Sequence, residues 1–227
     1  IIWDQINELV SPTWSELVQI VMAPRQNDHV ISIGQEVFNR FQELELKNLT
    51  LRNSGAGHVI EIDNAGATKG IQVTLDTCIL FGNGGNIINV VHTVPGQWIK
   101  VLFVNSKKNM NVGSIVFPAV HIDDDLIIDG VVFSPGNTVT FGEATTSPTA
   151  NCEIKDSRLD KIIALGTAKD KTISIEDTYS WNENRRIDIE GRASATFKIS
   201  QVIIDEKESS NYHKARNGLI MKIGTPI

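Results

Sequence analysis

The 227-residue chain predicts an all-β stacked solenoid, and three observations carry that reading. A short apolar-x-apolar phrase recurs from end to end. Its spacing is nearly constant. Most copies pass through a small or polar residue before a second apolar strand begins. The clearest copies read LELKNLTL (44–51), VTLDTCIL (73–80), LIIDGVVF (126–133), CEIKDSRL (152–159), ISIEDTYS (173–180) and FKISQVII (197–204). With the second apolar residue as marker they fall at Leu46, Leu75, Ile128, Ile154, Ile175 and Ile199. Two less regular copies put Ile20 and Val101 in the gaps, and LIMKI adds Met221 as a ninth. Successive markers are then 26, 29, 26, 27, 26, 21, 24 and 22 residues apart. A fixed period of this length is the signature of repeated units that stack on one another.

Taken in order, the first segment differs from the rest. Trp3, Ile6, Leu9 and Val10 fall at helical spacing and Ser11-Pro12 ends the pattern, which predicts a short helix over 1–14. Such a helix would cap the solenoid's open end, where a terminal coil otherwise exposes core and an unpaired strand edge. QEVFNRF (35–41) reads as a second short helix inside a loop. From residue 42 onward β-branched residues recur at period two, broken by Gly, Asn, Asp and Pro. One coil reads LELKN, LTLRN, SGAG, HVIEIDNAG; the next reads IQVTLDT, CILFGN, GGN, IINVVHTV, PGQ. Each holds three strands and their turns. The division is a cap over 1–14 and a solenoid domain over 15–227. Leucine-rich and ankyrin arrays are excluded, since neither a Leu/Asn frame nor a helix pair recurs.

Composition narrows the partners. A net charge of −6, with basic clusters no longer than Lys107-Lys108 and Arg185-Arg186, argues against nucleic acid, because phosphate binding needs clustered cations. No apolar run approaches the ~18 residues of a membrane span. The chain opens at Ile1 rather than Met, as a processed product or a fragment would, so localisation is not read from its N-terminus. Cys78 and Cys152, placed three coils apart and so about 14 Å from each other, are expected to be unpaired and buried. His58, His92, His121 and His213 fall on different coils without metal-type spacing, and no metal or cofactor is expected. SGAG (54–57) and GNGG (82–85) lack a P-loop lysine and are turns.

LELKNLTLRNSG followed by HVIEIDNAG resembles the coils of pectate-lyase-like proteins, and within them viral tailspikes and polysaccharide depolymerases. The resemblance covers roughly residues 15 to 224 and is one of pattern. It implies a right-handed, single-stranded parallel β-helix, here of about eight or nine coils, that acts on or binds polysaccharide.

Two columns of the repeat bear on chemistry. The position after each marker should face outward: Lys47, Asp76, Leu102, Asp129, Lys155, Glu176 and Ser200. The next position sits at a bend: Asn48, Thr77, Phe103, Gly130, Asp156, Asp177 and Gln201. Asn and Asp suit a repeated bend because they tolerate left-handed backbone. In the outward column, Asp129 and Glu176 are two coils, about 9.6 Å, apart. That is near the upper end of the separation, roughly 6.5–9.5 Å, of an inverting glycosidase pair. Lys155 between them makes either a catalytic group or the middle of a surface salt-bridge ladder. Asp123-Asp124-Asp125 after His121 reads as a solvated loop that prevents edge pairing, or as a cation site.

Exposed rings stack on sugars, and YSWNENRR gathers Tyr179, Trp181, Arg185 and Arg186 on one loop with amides and a carboxylate. It is the leading ligand-site candidate, with Trp98 after the PGQ turn as a further exposed ring. The expected function is host-polysaccharide binding by a virion-associated, tailspike-like attachment protein, located on the virion or outside the cell. It would form a homotrimer, with Leu102 and Phe103 among the residues covered, and contact other virion proteins. The alternatives are a hydrolase or lyase working through Asp129, Glu176 and Lys155, and a purely structural spacer.

Overall fold

Apolar residues at every second position make strands with one buried face, and here those faces close around a common core. The computed structural model describes residues 18–22, 28–142, 150–164, 172–176, 178, 188–192, 196–200 and 220–224, with side chains at 28–142, 150–163, 175 and 178. The first elements are β1 (Val18–Met22), β2 (Ile31–Ile33), α1 (Gln35–Arg40), β3 (Glu43–Lys47), β4 (Leu49–Asn53) and β5 (Ile60–Asp63). Then come β6 (Ile71–Asp76), β7 (Ile79–Gly82), β8 (Ile88–Val91), β9 (Ile99–Asn111), β10 (Ile115–Phe117), β11 (Asp125–Phe133) and β12 (Thr138–Phe141). The last are β13 (Asn151–Lys155), β14 (Lys161–Ala164), β15 (Thr172–Glu176), β16 (Asp188–Arg192), β17 (Thr196–Ser200) and β18 (Ile220–Gly224).

The strands stack into a parallel β-solenoid. One face is a seven-stranded sheet ordered β17-β15-β13-β11-β9-β6-β3, and a second is an eight-stranded sheet ordered β18-β16-β14-β12-β10-β8-β5-β2. The third face is β1-β4-β7. It is prolonged by the distal parts of β9 and β11, which turn a corner instead of stopping, and by a bridge from Val132 to Arg158. The three strands per coil expected from the sequence are therefore present over residues 43–141, and 35–40 is the expected short helix, with Val37 and Phe38 buried. The predicted cap over 1–14 lies outside the described residues.

Inward side chains of neighbouring coils pack in rows. Leu75, Phe103 and Ile128 are fully buried and in register on the first face. Phe117 stacks on Phe141 in the next coil at 5.8 Å on the second. Phe103 meets Phe133 edge-on at 6.3 Å across the core. Each such side chain contributes about 1.5–3 kcal/mol of burial. Cys78 and Cys152 are free and buried, as expected, although they sit in different columns. Burial pushes the Cys78 thiol up to about 12 and drives Cys152 the same way.

Three markers are corrected. Leu75 pairs with Phe103, not Val101, so the outward residue of that coil is Val104 rather than Leu102 and the bend residue is Asn105 rather than Phe103. Phe103 is core, not exposed surface. Ile99, Val101 and Phe103 all share the inward parity, so alternation alone cannot choose between registers two residues apart. Ile20 pairs with Leu51 on the third face, and Met221 with Ile189 on the second.

Candidate functional site

Where the first face meets the third, the chain turns on one residue per coil held in left-handed backbone. These are Asn48 (φ 55°), Thr77 (56°), Asn105 (58°), Gly130 (68°) and Asp156 (46°). Before them runs the column Lys47, Asp76, Val104, Asp129, Lys155 and Glu176, one per strand. The expected outward column is thus real in register, once Val104 replaces Leu102. Among the described residues no ion pair joins Asp129 to Lys155; the pairs of this edge are Lys47–Asp76 at 2.6 Å and Lys107–Asp156.

Beside this corner β9 carries a bulge. Ser106 pairs with Val131 and Asn111 with Phe133, so four residues, Lys107 to Met110, stand opposite Val132 alone. A bulge of this kind re-aims side chains out of the sheet. Its base is tied by buried groups. Asn111 donates from Nδ2 to Ser106 Oγ and to the Val132 carbonyl, both at 3.0 Å, and its Oδ1 accepts the Leu80 N–H at 2.8 Å. Lys107 reaches over Gly130 to Asp156; a Cβ on Gly130 would lie 3.2 Å from Lys107 Cε. Glycine there serves both the φ and the crossing side chain.

The bulge and the bend residues wall a half-open groove of about 300 Å³, lined by Asn48, Thr77, Ile79, Asn105, Ser106, Lys108 and Asn109. Asp76 anchors its edge, accepting from Thr77 Oγ1 and Asn105 Nδ2, both at 2.9 Å. Burial pushes the Asp76 carboxyl up, but hydrogen bonds from Lys47, Asn105 and Thr77 and the Lys47 charge outweigh it, leaving the group below its ordinary value. Lys47 is raised, chiefly by the same hydrogen bond. The Asn48 and Asn109 amides and the Lys108 ammonium make no side-chain hydrogen bond or ion pair among the described residues, and all three border the groove. Its chemistry is therefore two amides, a cation and an apolar floor at Ile79.

Two histidine clusters lie elsewhere. On the other side of the third face, the rings of His29 and His58 stack at 5.0 Å, 4° from parallel, beside Glu61. His29 Nε2 is 3.2 Å and His58 Nε2 3.9 Å from its carboxylate. The ligand atoms of this trio lie within 4.8 Å of one another, a spacing that a metal ion could bridge. Two features oppose it. Each Nδ1 accepts a backbone N–H at 2.9 Å, from His58 and Asn86 respectively, whereas a metal-bound imidazole needs that nitrogen as a donor. The lone pairs of parallel rings also do not converge on one point.

The second cluster is fully buried. His92 Nε2 stands 3.2 Å from Asp124, whose carboxylate also accepts the N–H groups of Ile99, Val120 and His121 at 2.7–2.8 Å. The middle Asp of the triple run is thus an internal anchor of the loop, not part of a solvated one. Asp125 pairs with Lys100 at 2.7 Å, and only Asp123 is exposed.

Trp98 is half-buried. Its indole lies on Gly70, where a Cβ would come within 2.4 Å of the ring, and Lys100 Nζ is 5.7 Å from the ring centroid. It stands at the opposite end of β9's first-face segment from Asn105, about 23 Å away at ~3.3 Å per residue. The structure therefore brings Asp129, Lys155 and Glu176 into one column beside the groove but leaves Trp98 apart. Tyr179, Trp181, Arg185 and Arg186 lie outside the described residues. Sequence reasoning missed Lys108 and Asn109, which look like ordinary strand residues, and the His29–His58 stack. The signal for the latter was a separation of 29 residues, one period of the repeat. Comparison of the chain with protein-family models, with curated proteins and with solved structures finds no match.

Proposed function

We propose that this protein is a polysaccharide-binding β-helix that holds a host-surface glycan along its bend edge, as a virion-associated, tailspike-like attachment protein. The observation that supports it is the groove lined by Asn48, Asn105 and Asn109, where the amides of Asn48 and Asn109 await hydroxyl partners over an apolar floor. Binding sites are typically concave surfaces with a few placed polar groups. Lys47 and Lys107 are neutralised by Asp76 and Asp156, so Lys108 brings the groove an uncompensated charge, which suits a glycan with acidic substituents. The solenoid is right-handed in this reading, has eight or nine coils and assembles as a homotrimer. Tyr179, Trp181, Arg185 and Arg186 extend the glycan contact.

The test is binding of the intact chain to a panel of bacterial surface polysaccharides, acidic and neutral. Lys108→Gln and Asn109→Ala should each weaken binding of an acidic glycan about tenfold, equivalent to ~1.4 kcal/mol. Unchanged binding in both, with loss in Trp181→Ala and Arg185→Ala, would move the site to the 179–186 loop.

A second reading, cleavage of the bound chain, is favoured by one observation: Asp129, Lys155 and Glu176 occupy consecutive strands of the column bordering the same edge. In it, one carboxyl acts as acid and the other as base. Asp129→Asn should then abolish release of oligosaccharides while leaving binding intact.

A further inference from the structure

We infer that the His29–His58 stack is an acid-sensitive latch that fastens the first described coil of the solenoid to the two coils after it. The two rings occupy equivalent places in successive coils, and each uses Nδ1 to hold the next coil's backbone: His29 takes the His58 N–H and His58 takes the Asn86 N–H, both at 2.9 Å. An imidazole that accepts at Nδ1 and is neutral carries its proton on Nε2, and both Nε2 atoms face Glu61. Adding a proton to either ring places it on Nδ1, where it meets an N–H instead of a lone pair. One step thus removes an intercoil hydrogen bond and sets two donors against each other.

The surroundings make the step reachable and costly. The side chains of His29 and His58 are 22% and 24% exposed, so protons reach them. A charge on one ring faces its parallel neighbour, and like charges at this range oppose each other. Glu61 is the titratable group turned to both rings. Its strand neighbours Ser32 and Asn89 do not titrate in this range, and Asp63 on the same strand accepts the Ala65 N–H instead. Asp28 adjoins His29 in the chain and is exposed. Burial, then the neighbouring His29, lowers the His58 pKa against the pull of Glu61.

For a base whose folded pKa lies below its unfolded one, the unfolded or open state binds more protons in between. The His58 half of the latch is therefore intact above the ordinary value of 6.5 and is lost progressively as pH falls from there to the lower folded value. The coil it releases is the one holding β2, the terminal strand of the eight-stranded face. Its remaining ties there include the bonds from the Val30 N–H to the His58 carbonyl and from the Ile31 N–H to the Val59 carbonyl, at 3.2 and 3.0 Å.

Amide hydrogen exchange on the ¹⁵N-labelled chain between pH 7.5 and 5 tests this. Protection factors, corrected for intrinsic exchange, should fall about tenfold at His58 and Asn86, the effect of losing one hydrogen bond of about 1.4 kcal/mol at each. Those at Ile71 and Ile99 should stay level. In His58→Asn, whose Oδ1 can accept at the same position without titrating, protection at Asn86 should become independent of pH. Level protection at His58 and Asn86 in the native chain, or an unaltered pH dependence in the variant, overturns the latch. If the variant does not fold, imidazole ¹⁵N shifts of the native protein decide. An unprotonated Nδ1 on both rings at pH 7.5 supports the latch, and a protonated Nδ1 on either overturns it.

Discussion

Asn111 Nδ2 lies 3.0 Å from Ser106 Oγ, so the two residues that flank the 107–110 bulge clasp each other beneath it. Both are buried, and Asn111 also satisfies a backbone donor of β7 and a carbonyl of β11. The projecting residues are exposed, but their footing is core. This is how a rigid sheet can present a loop without giving it freedom to wander.

Asn111→Ala should therefore cost more than an exposed loop change. It strands the Leu80 N–H and the Val132 carbonyl, and an unmade buried hydrogen bond costs about 1–3 kcal/mol. Urea unfolding should show a loss of roughly 2–4 kcal/mol, and glycan affinity should fall with it because the groove loses its wall. A loss below about 0.5 kcal/mol would mean that the clasp is dispensable.

Thr77 is the β-branched member of the left-handed column, at φ 56°. Non-glycine residues pay about 1–2 kcal/mol for this conformation, and Asn, which two other coils use, pays less. Thr77→Asn should raise stability by about 0.5–1 kcal/mol even though it gives up the Thr77–Asp76 bond at 2.9 Å. A raised midpoint of thermal unfolding checks it.

Asp124→Asn should be severe. Its carboxylate accepts three backbone N–H groups and faces His92 with no exposure to solvent, and an amide would turn one acceptor into a donor. Breaking such a buried arrangement costs about 3–5 kcal/mol. The expected result is a chain that unfolds at least ten degrees lower in calorimetry, or that is recovered only in aggregates.

Asp76 gives a pH signature of the same sign as that of His58 but in a lower range. A carboxyl held below its ordinary value stabilises the fold fully above 3.8, and that contribution disappears as pH falls through its lower folded value. The stability gap between the native chain and Asp76→Asn should thus be constant from pH 7 to about 5 and close below pH 4. A gap that persists at pH 2 would show that the carboxylate charge is not what matters.

Much of this architecture was legible because its causes are local. Alternation in LELK and IQVTLD specifies which face is buried, and Asn48, Gly130 and Asp156 mark corners because few residues accept left-handed backbone. The fourth coil was misplaced by two residues because its alternation runs unbroken from Ile99 to Phe103, and Asn105, which ends it, looks like any polar strand residue. The groove escaped for a related reason. Nothing in NSKKNMN says that four residues leave the sheet; that depends on Asn111 meeting Ser106 and Val132 in space. The histidine stack needed the assumption that residues one period apart touch. That assumption is safe in a solenoid, where each repeat contacts its neighbours.

Between the register points Ser106↔Val131 and Asn111↔Phe133 the chain takes five steps on β9 against two on β11, yet the next strands, β10 and β12, again pair residue for residue. Extra length at this corner is absorbed outward and does not propagate along the stack. It follows that the corner behaves as a socket. Longer or chemically different segments could be grafted between Ser106 and Asn111, and the selectivity of the edge rewritten, while the hydrophobic interior keeps its composition.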